Sequence, residues 1–323
     1  MNILLTGSSG WLGRYLAPLL AGDGHRIVGL DVAPGAHTNV IGSVDDRPLV
    51  ARLMRDHRID AVIHGAALHK PDIERYPTQR FVDVNISGTL TLLEEAVAAG
   101  VDRFVFTSTT SLMISAEIRQ GKGDRAVWID ESLAPLAPRN IYGATKLAAE
   151  SLCRLVHLEN KLPIVVLRTG RFFPEEDDQA HRLVTAGPNT KANELLHRRL
   201  TVEDAAEAHR VALARAPEIG FGIFIVAART PFAREDAAEL KRDAVAVITR
   251  YFPDAPDLYA RHGWALPASI DRIYDAGLAE RVLGFRSRTD FRALLDALRT
   301  GGELPFAHDP GYVSPQELAR IGA

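Results

Sequence analysis

The sequence predicts an α/β protein, a doubly wound parallel sheet carrying a small, mainly helical C-terminal lobe, on three observations. A strand opens the chain at Asn2-Ile3-Leu4-Leu5-Thr6 and runs straight into the glycine-rich turn Gly7-Ser8-Ser9-Gly10-Trp11-Leu12-Gly13. Apolar, strand-like runs then alternate with helical stretches as far as Leu167. Beyond Arg168 the texture becomes polar and rich in Arg and Pro. Strand, glycine turn and helix mark a nucleotide-binding βαβ unit. The alternation implies right-handed crossovers with helices on both faces of the sheet, the Rossmann-type arrangement.

Each element has its reason. The glycines permit a tight turn with unusual φ and let a phosphate approach bare backbone, while N–H groups at the helix start hold an anion. Gly7, Gly10, Trp11, Leu12 and Gly13 are therefore expected at a cofactor, Trp11 as a packing residue. The strand over residues 25–31 ends in Asp31, 18 residues past Gly13 (31 − 13). A carboxylate there accepts hydrogen bonds from an adenosine ribose diol and repels a 2′-phosphate, so Asp31 predicts NAD over NADP. The competing reading is a solvated turn acid before Pro34-Gly35. A strand over 59–64 follows, ending in Gly65-Ala66-Ala67, then a helix over about 77–100 with Gly100 as its stop. Strands over 101–107 and 163–167 flank a helix over 147–158. A helix over 202–216 and a strand over 221–226 return to the same pattern. Residues 1–170, rejoined by 197–228, are thus expected to form the cofactor domain. Residues 171–196 and 229–323 would form a substrate lobe over the C-terminal edge of the sheet, where open α/β sheets bind ligands. The Pro- and Gly-rich tail after Gly301 reads as an extended arm.

At 323 residues the chain can bury a large core. A net charge of −3 supplies no field for nucleic acid or an anionic membrane, so neither is expected as a partner. One cysteine, Cys153, excludes an internal disulfide and fits a reducing compartment. No apolar stretch approaches the ~20 residues of a membrane span, and no basic segment precedes an apolar one. A cytoplasmic protein without a processed leader is the expectation.

The chemistry concentrates in Tyr142-Gly143-Ala144-Thr145-Lys146. Residues four apart share a helix face, so phenol and ammonium can point into one cleft. A nearby ammonium favours the phenolate and is expected to lower the tyrosine pKa, making it a general acid/base. Thr107-Ser108-Thr109-Thr110-Ser111 ends the preceding strand, where a hydroxyl can bond both the substrate oxygen and the tyrosine. Alone, such a cluster is more often a turn or a cap.

Together these residues resemble the extended short-chain dehydrogenases, the NAD-dependent epimerase/dehydratase family, over about residues 1–300. The likeness rests on T-G-x-x-G-x-x-G at 6–13, His64-Gly65-Ala66-Ala67, Val84-Asn85-Ile86-Ser87-Gly88-Thr89, the Ser/Thr strand end and the Tyr142/Lys146 pair. It implies NAD as cofactor, Thr109 as the catalytic hydroxyl and Tyr142 as the acid/base. Lys146 would also hold the nicotinamide ribose, and Asn85 would brace the cofactor loops. Gly65, Ala66 and Ala67 would lie where backbone passes the cofactor.

Several departures bear on the substrate. Gly42-Ser43-Val44-Asp45-Asp46 stands where relatives carry G-D-x-x-D, so Ser43 with Val44 is expected at the adenine instead. Arg171 replaces the asparagine of R-x-x-N-V-x-G, which puts the usual diphosphate-sugar contacts in doubt. An arginine there suits a carboxylate or phosphate; the alternative is a salt bridge to Glu175, Glu176 or Asp177. Thr110-Ser111 replaces the Asp-Glu of sugar dehydratases, which argues against dehydration. Thr109 and Tyr142 are 33 residues apart (142 − 109), so residues 115–128 are expected to form an extra flap. Thr110, Arg171 and Arg199 are the substrate candidates; Arg199, in His197-Arg198-Arg199, reads equally as a solvated basic turn. His64 and His69 lack a carboxylate to complete a metal site, so no metal is expected, and Cys153 reads as core.

The expected function is NAD-dependent hydride transfer at a secondary alcohol or ketone of a sugar, nucleotide sugar or polyol, by a homodimer acting on a small molecule. The alternatives are a dehydrogenase of a non-sugar alcohol and a non-catalytic NAD-sensing protein.

Overall fold

The computed structural model describes residues 1–173 and 187–306. The acidic run at 175–178 and the tail beyond 306 lie outside the described residues.

Nine strands are formed among the described residues: β1 Asn2–Thr6, β2 Arg26–Asp31, β3 Val40–Ile41, β4 Ala61–His64, β5 Arg103–Thr109, β6 Val127–Ile129, β7 Ile164–Thr169, β8 Phe221–Val226 and β9 Arg272–Tyr274. Seven of them make one sheet in the order β3-β2-β1-β4-β5-β7-β8, with every pairing parallel. Successive side chains of a strand face opposite sides. Ile3 and Leu5 accordingly join the core beneath the helices Trp11–Gly22 and Val202–Ile219. Leu4 joins the opposite core, with Leu53, Leu92 and Ala149 from the helices Arg47–Asp56, Gly88–Ala98 and Ile141–Asn160. Burial on both faces explains why these strands read as continuous apolar runs.

The strand order grows outward in both directions from β1 and β4, so a crevice opens at their C-terminal ends. Thr6, Asp31, His64, Thr109 and Thr169 end five strands along that edge. The loops that follow therefore converge there.

Two local features differ from expectation. The helix expected over 77–100 is split: α-helix at Thr78–Phe81, a π-helical turn at Val82–Ser87, then α-helix from Gly88. Such a turn takes a wider i→i+5 bond and re-aims one side chain, here Asn85, without breaking the apolar periodicity that predicted the helix. Residues 115–128 are not a free flap. They form a short helix, Ala116–Gln120, and lead into β6, which pairs in parallel with β9. Trp128 Nε1 also donates to Asp275 across 147 positions at 2.9 Å. The C-terminal region is mostly helical, as expected, around its own core of Leu240, Ile248, Leu258, Phe291 and Leu294. Three-residue strands such as β6 and β9 carry too little periodicity to be read from sequence.

Candidate active site

Two cavities meet at the C-terminal edge of the sheet. A groove of about 490 Å³ runs from Asp31 past the glycine loop to Tyr142 and Lys146. A cleft of about 220 Å³ lies beyond it, lined by Thr109, Thr110, Arg171 and Tyr274 among others. Tyr142 lines both cavities, Lys146 the groove and Thr109 the cleft.

The groove is shaped for a dinucleotide. Gly7 has φ +78°, and a Cβ on it would stand 2.8 Å from Ala66 N. At Gly13 a Cβ would stand 2.4 Å from Gly7 O, so neither position admits a side chain without moving backbone. Gly10 caps the helix Trp11–Gly22 with no side-chain hydrogen bond, which leaves the helix-start N–H groups to an anion. Asp31 is fixed at the far end, Oδ2 accepting from Ser9 N at 3.0 Å and Oδ1 from Ala33 N at 3.1 Å. Leu12, Ser43, Val44, Gly65, Ala66 and Ala67 line the same groove. Ser43 Oγ accepts from Arg80 Nη2 at 3.3 Å, and Arg80 pairs with Asp45. Trp11 packs in the groove wall, and its indole N–H donates to Phe172 O at 3.1 Å. That bond ties the glycine loop to the segment after β7. Asn85, aimed by the π-helical turn, accepts from Leu68 N at 2.8 Å. Its amide nitrogen donates to Leu68 O at 3.0 Å and to Thr145 Oγ1 at 3.1 Å. The loop after β4 is thereby fastened to the helix that carries Tyr142.

Asn140 starts that helix by accepting from Gly143 N at 2.9 Å. Tyr142 and Lys146 follow on one face, and the Thr109 side chain acts on the Tyr142 phenol to favour its anion. Thr109 Oγ1 also accepts from Ser111 N at 3.1 Å, and Thr110 Oγ1 donates to Thr169 O at 3.2 Å. The tyrosine pKa contradicts the sequence expectation. Burial pushes the phenol up to about 12, with the Thr109 side chain opposing. Lys146 is itself buried and pushed down to about 7, against the pull of nearby Cys153 and Glu150. Its Nζ sits 4.0 Å above the Phe106 ring centroid.

Several residues here carried no sequence signal or an unread one. Glu150, one turn beyond Lys146, pairs with Arg168 at 2.7 Å in full burial and accepts from Ser108 Oγ at 2.5 Å. Its i+4 spacing from Lys146 was the available clue. His69 stacks on Tyr142 at 5.7 Å between ring centroids and lines both cavities. Burial pushes it down to about 4. His64 is a core histidine, bonded to Thr6 Oγ1 at 2.8 Å and Thr89 Oγ1 at 3.0 Å.

The arginine candidates separate. Arg171 lines the cleft, whereas Arg199 does not. Arg199 is 4% exposed and turned inward, Nη1 on Glu194 at 2.6 Å and Nη2 on Phe173 O at 2.7 Å. It is Arg198, in the turn that follows the helix Gly187–Leu195, that lines the cleft. Burial would raise the Glu194 carboxyl, yet Arg198, Arg199 and Arg171 hold it down at about 2. Among the described residues no cluster of His, Cys, Asp and Glu is placed to hold a metal. No described helix is long and apolar enough to cross a membrane.

Residues 3–223 match the model of the NAD dependent epimerase/dehydratase family. The chain belongs to this family, and NAD is its cofactor. A UDP-glucose 4-epimerase of Rhizobium meliloti is 29% identical over 98% of this chain and 86% of its own length. The low-salt glycan biosynthesis protein Agl12 of Haloferax volcanii is 33% identical over 54% of this chain, which spans 57% of that relative's length. Among solved structures, a short-chain dehydrogenase/reductase superfamily protein from Agrobacterium tumefaciens with bound NAD aligns with a TM-score of 0.65 and 22% identity, covering 93% of this chain and 96% of that one. A UDP-glucose 4-epimerase from Thermotoga maritima with UDP-glucose aligns with a TM-score of 0.63 and 20% identity, covering 93% and 99%. These structural likenesses establish a shared fold.

Proposed function

We propose that the protein catalyses reversible hydride transfer at a secondary alcohol or ketone carbon of a sugar-like substrate. The observation that carries this reading is Tyr142 at the junction of groove and cleft, sharing the cleft with Thr109 and one helical turn from Lys146. Relatives named UDP-glucose 4-epimerase favour a sugar as the substrate. Thr110-Ser111 after Thr109 disfavours dehydration.

NAD, when bound, supplies the hydride acceptor and donor. Gly7, Gly10, Gly13 and the start of the helix Trp11–Gly22 would hold its phosphates, and Asp31 the adenosine ribose. Tyr142 exchanges the hydroxyl proton of the reacting carbon, and Thr109 aligns that oxygen. Lys146, one turn further on, would hold the nicotinamide ribose, and His69 stacks against the Tyr142 ring. Residues 1–170 and 197–228 would form the cofactor domain, with 171–196 and 229–323 as the substrate lobe. Mass spectrometry of the co-purifying cofactor, joined to a sugar, polyol and nucleotide-sugar screen read by NADH absorbance and product epimer analysis, tests the reading. Absence of bound or bindable NAD, or failure of every sugar-like compound, would overturn it.

A further inference from the structure

Cationic side chains outnumber carboxylates among the described residues that line the substrate cleft. Lys70, Arg119, Arg139, Arg171, Arg198 and Arg272 line it, against the single described carboxylate of Glu194. The chain as a whole has a net charge of −3, so this is a local concentration rather than a general character. Glu194 is already committed to Arg198 and Arg199.

Arg272 is the telling member. It lies on β9, beyond the 3–223 stretch that matches the family. Its side chain lines the cleft, yet the residue is only 8% exposed. Its Nε is buried without a hydrogen-bond partner, and no carboxylate among the described residues pairs with it. A buried guanidinium nitrogen without a partner is costly, and no carboxylate among the described residues offsets it. The adjacent His197 reads the same field, being pushed down to about 3 by burial and by Arg198, with Arg272 adding to it. The cavity volume, about 220 Å³, falls below the ~300–1,000 Å³ of pockets for drug-sized ligands. Tyr142 and Arg272 line that same cleft, so a reacting carbon at Tyr142 and a charged group at Arg272 can belong to one ligand.

We propose that the substrate is a monosaccharide-sized polyol bearing its own anionic group, a carboxylate or phosphate monoester, and that Arg272 is the residue that recognises it. This rests on the reading of Tyr142 as the reacting centre, but its test reads binding rather than turnover. The NAD-loaded protein is titrated calorimetrically with glucuronate, glucose 6-phosphate, glucose and UDP-glucose. At least one of the two small anions should bind roughly tenfold or more tightly than glucose, and which one does so separates carboxylate from phosphate. Arg272→Gln should weaken that anion about ten- to hundredfold while leaving NAD affinity unchanged, and Arg272→Lys should restore part of the loss. Unchanged NAD affinity serves as the check on folding. The proposal fails if neither anion binds better than glucose or if Arg272→Gln binds them as the unmutated protein does. It fails equally if UDP-glucose binds more tightly than both and UMP displaces it. Anion binding without any NADH formation would leave this inference standing and sink the proposed reaction instead.

Discussion

In the proposed reaction, Tyr142, Thr109 and Lys146 divide one task between two cavities. The phenol faces both, the hydroxyl faces the cleft and the ammonium faces the groove. Tyr142→Phe should lower kcat by roughly 10²–10⁴-fold, the usual contribution of a positioned proton donor, and leave NAD binding intact. Steady-state rates and cofactor calorimetry check this, and activity within a few-fold of the unmutated protein would remove Tyr142 from the chemistry. Asp31 is held rigidly by two backbone N–H groups at the groove's far end. Asp31→Ala should therefore narrow a preference for NAD over NADP, as measured by the ratio of their dissociation constants. Equal constants in the unmutated protein would mean that Asp31 does not meet the ribose.

At the scale of elements, the glycine loop and the Tyr142 helix are each secured by one tight contact. Gly13→Ala would force a Cβ to 2.4 Å from Gly7 O and 2.6 Å from Ser8 O, so the loop must open. NAD affinity should fall at least about tenfold, together with the ~1–3 kcal/mol of stability typical of overpacking. Calorimetry and denaturant unfolding read the two effects separately. The helix Ile141–Asn160 is moored to β7 by Glu150 on Arg168, where the side chains are 2% and 5% exposed. Glu150→Ala leaves a buried guanidinium unpaired and should cost about 3–5 kcal/mol in urea unfolding. A loss below ~1 kcal/mol would show that water or a neighbouring group takes over the pairing.

For the whole molecule, buried neutral histidines set the acid limit of stability. His209 is fully buried, Nδ1 donating to Ala205 O at 2.7 Å and Nε2 accepting from Thr107 Oγ1 at 2.8 Å. Burial lowers its pKa from 6.5 to about 4. A depressed folded-state pKa means that the unfolded chain binds the proton first as pH falls. Stability should thus be full above pH 6.5 and decline towards pH 4, by up to about 3 kcal/mol for this residue. Urea midpoints between pH 7 and 4 check the slope, and His209→Gln should flatten it.

Much of this protein was legible in its sequence because the governing interactions are local. The strand–glycine–helix opening, the continuous apolar strands and the i, i+4 Tyr142/Lys146 pair depend on spacings of a few residues, and β8 appears over the very residues expected. Asn85 was placed by motif, although the π-helical turn that aims it was not. What spacing cannot supply is the fate of a charge. The sequence marked Arg199, and the structure turned it inward onto Glu194 and gave the cleft Arg198, an orientation set by the turn after the helix Gly187–Leu195 rather than by residue type. The Tyr142 pKa moved opposite to expectation because desolvation, a property of the whole fold, dominates it. Arg272 reaches the cleft through the β6–β9 pairing, between segments nearly 150 positions apart (272 − 127 = 145), and no local pattern records a contact of that range.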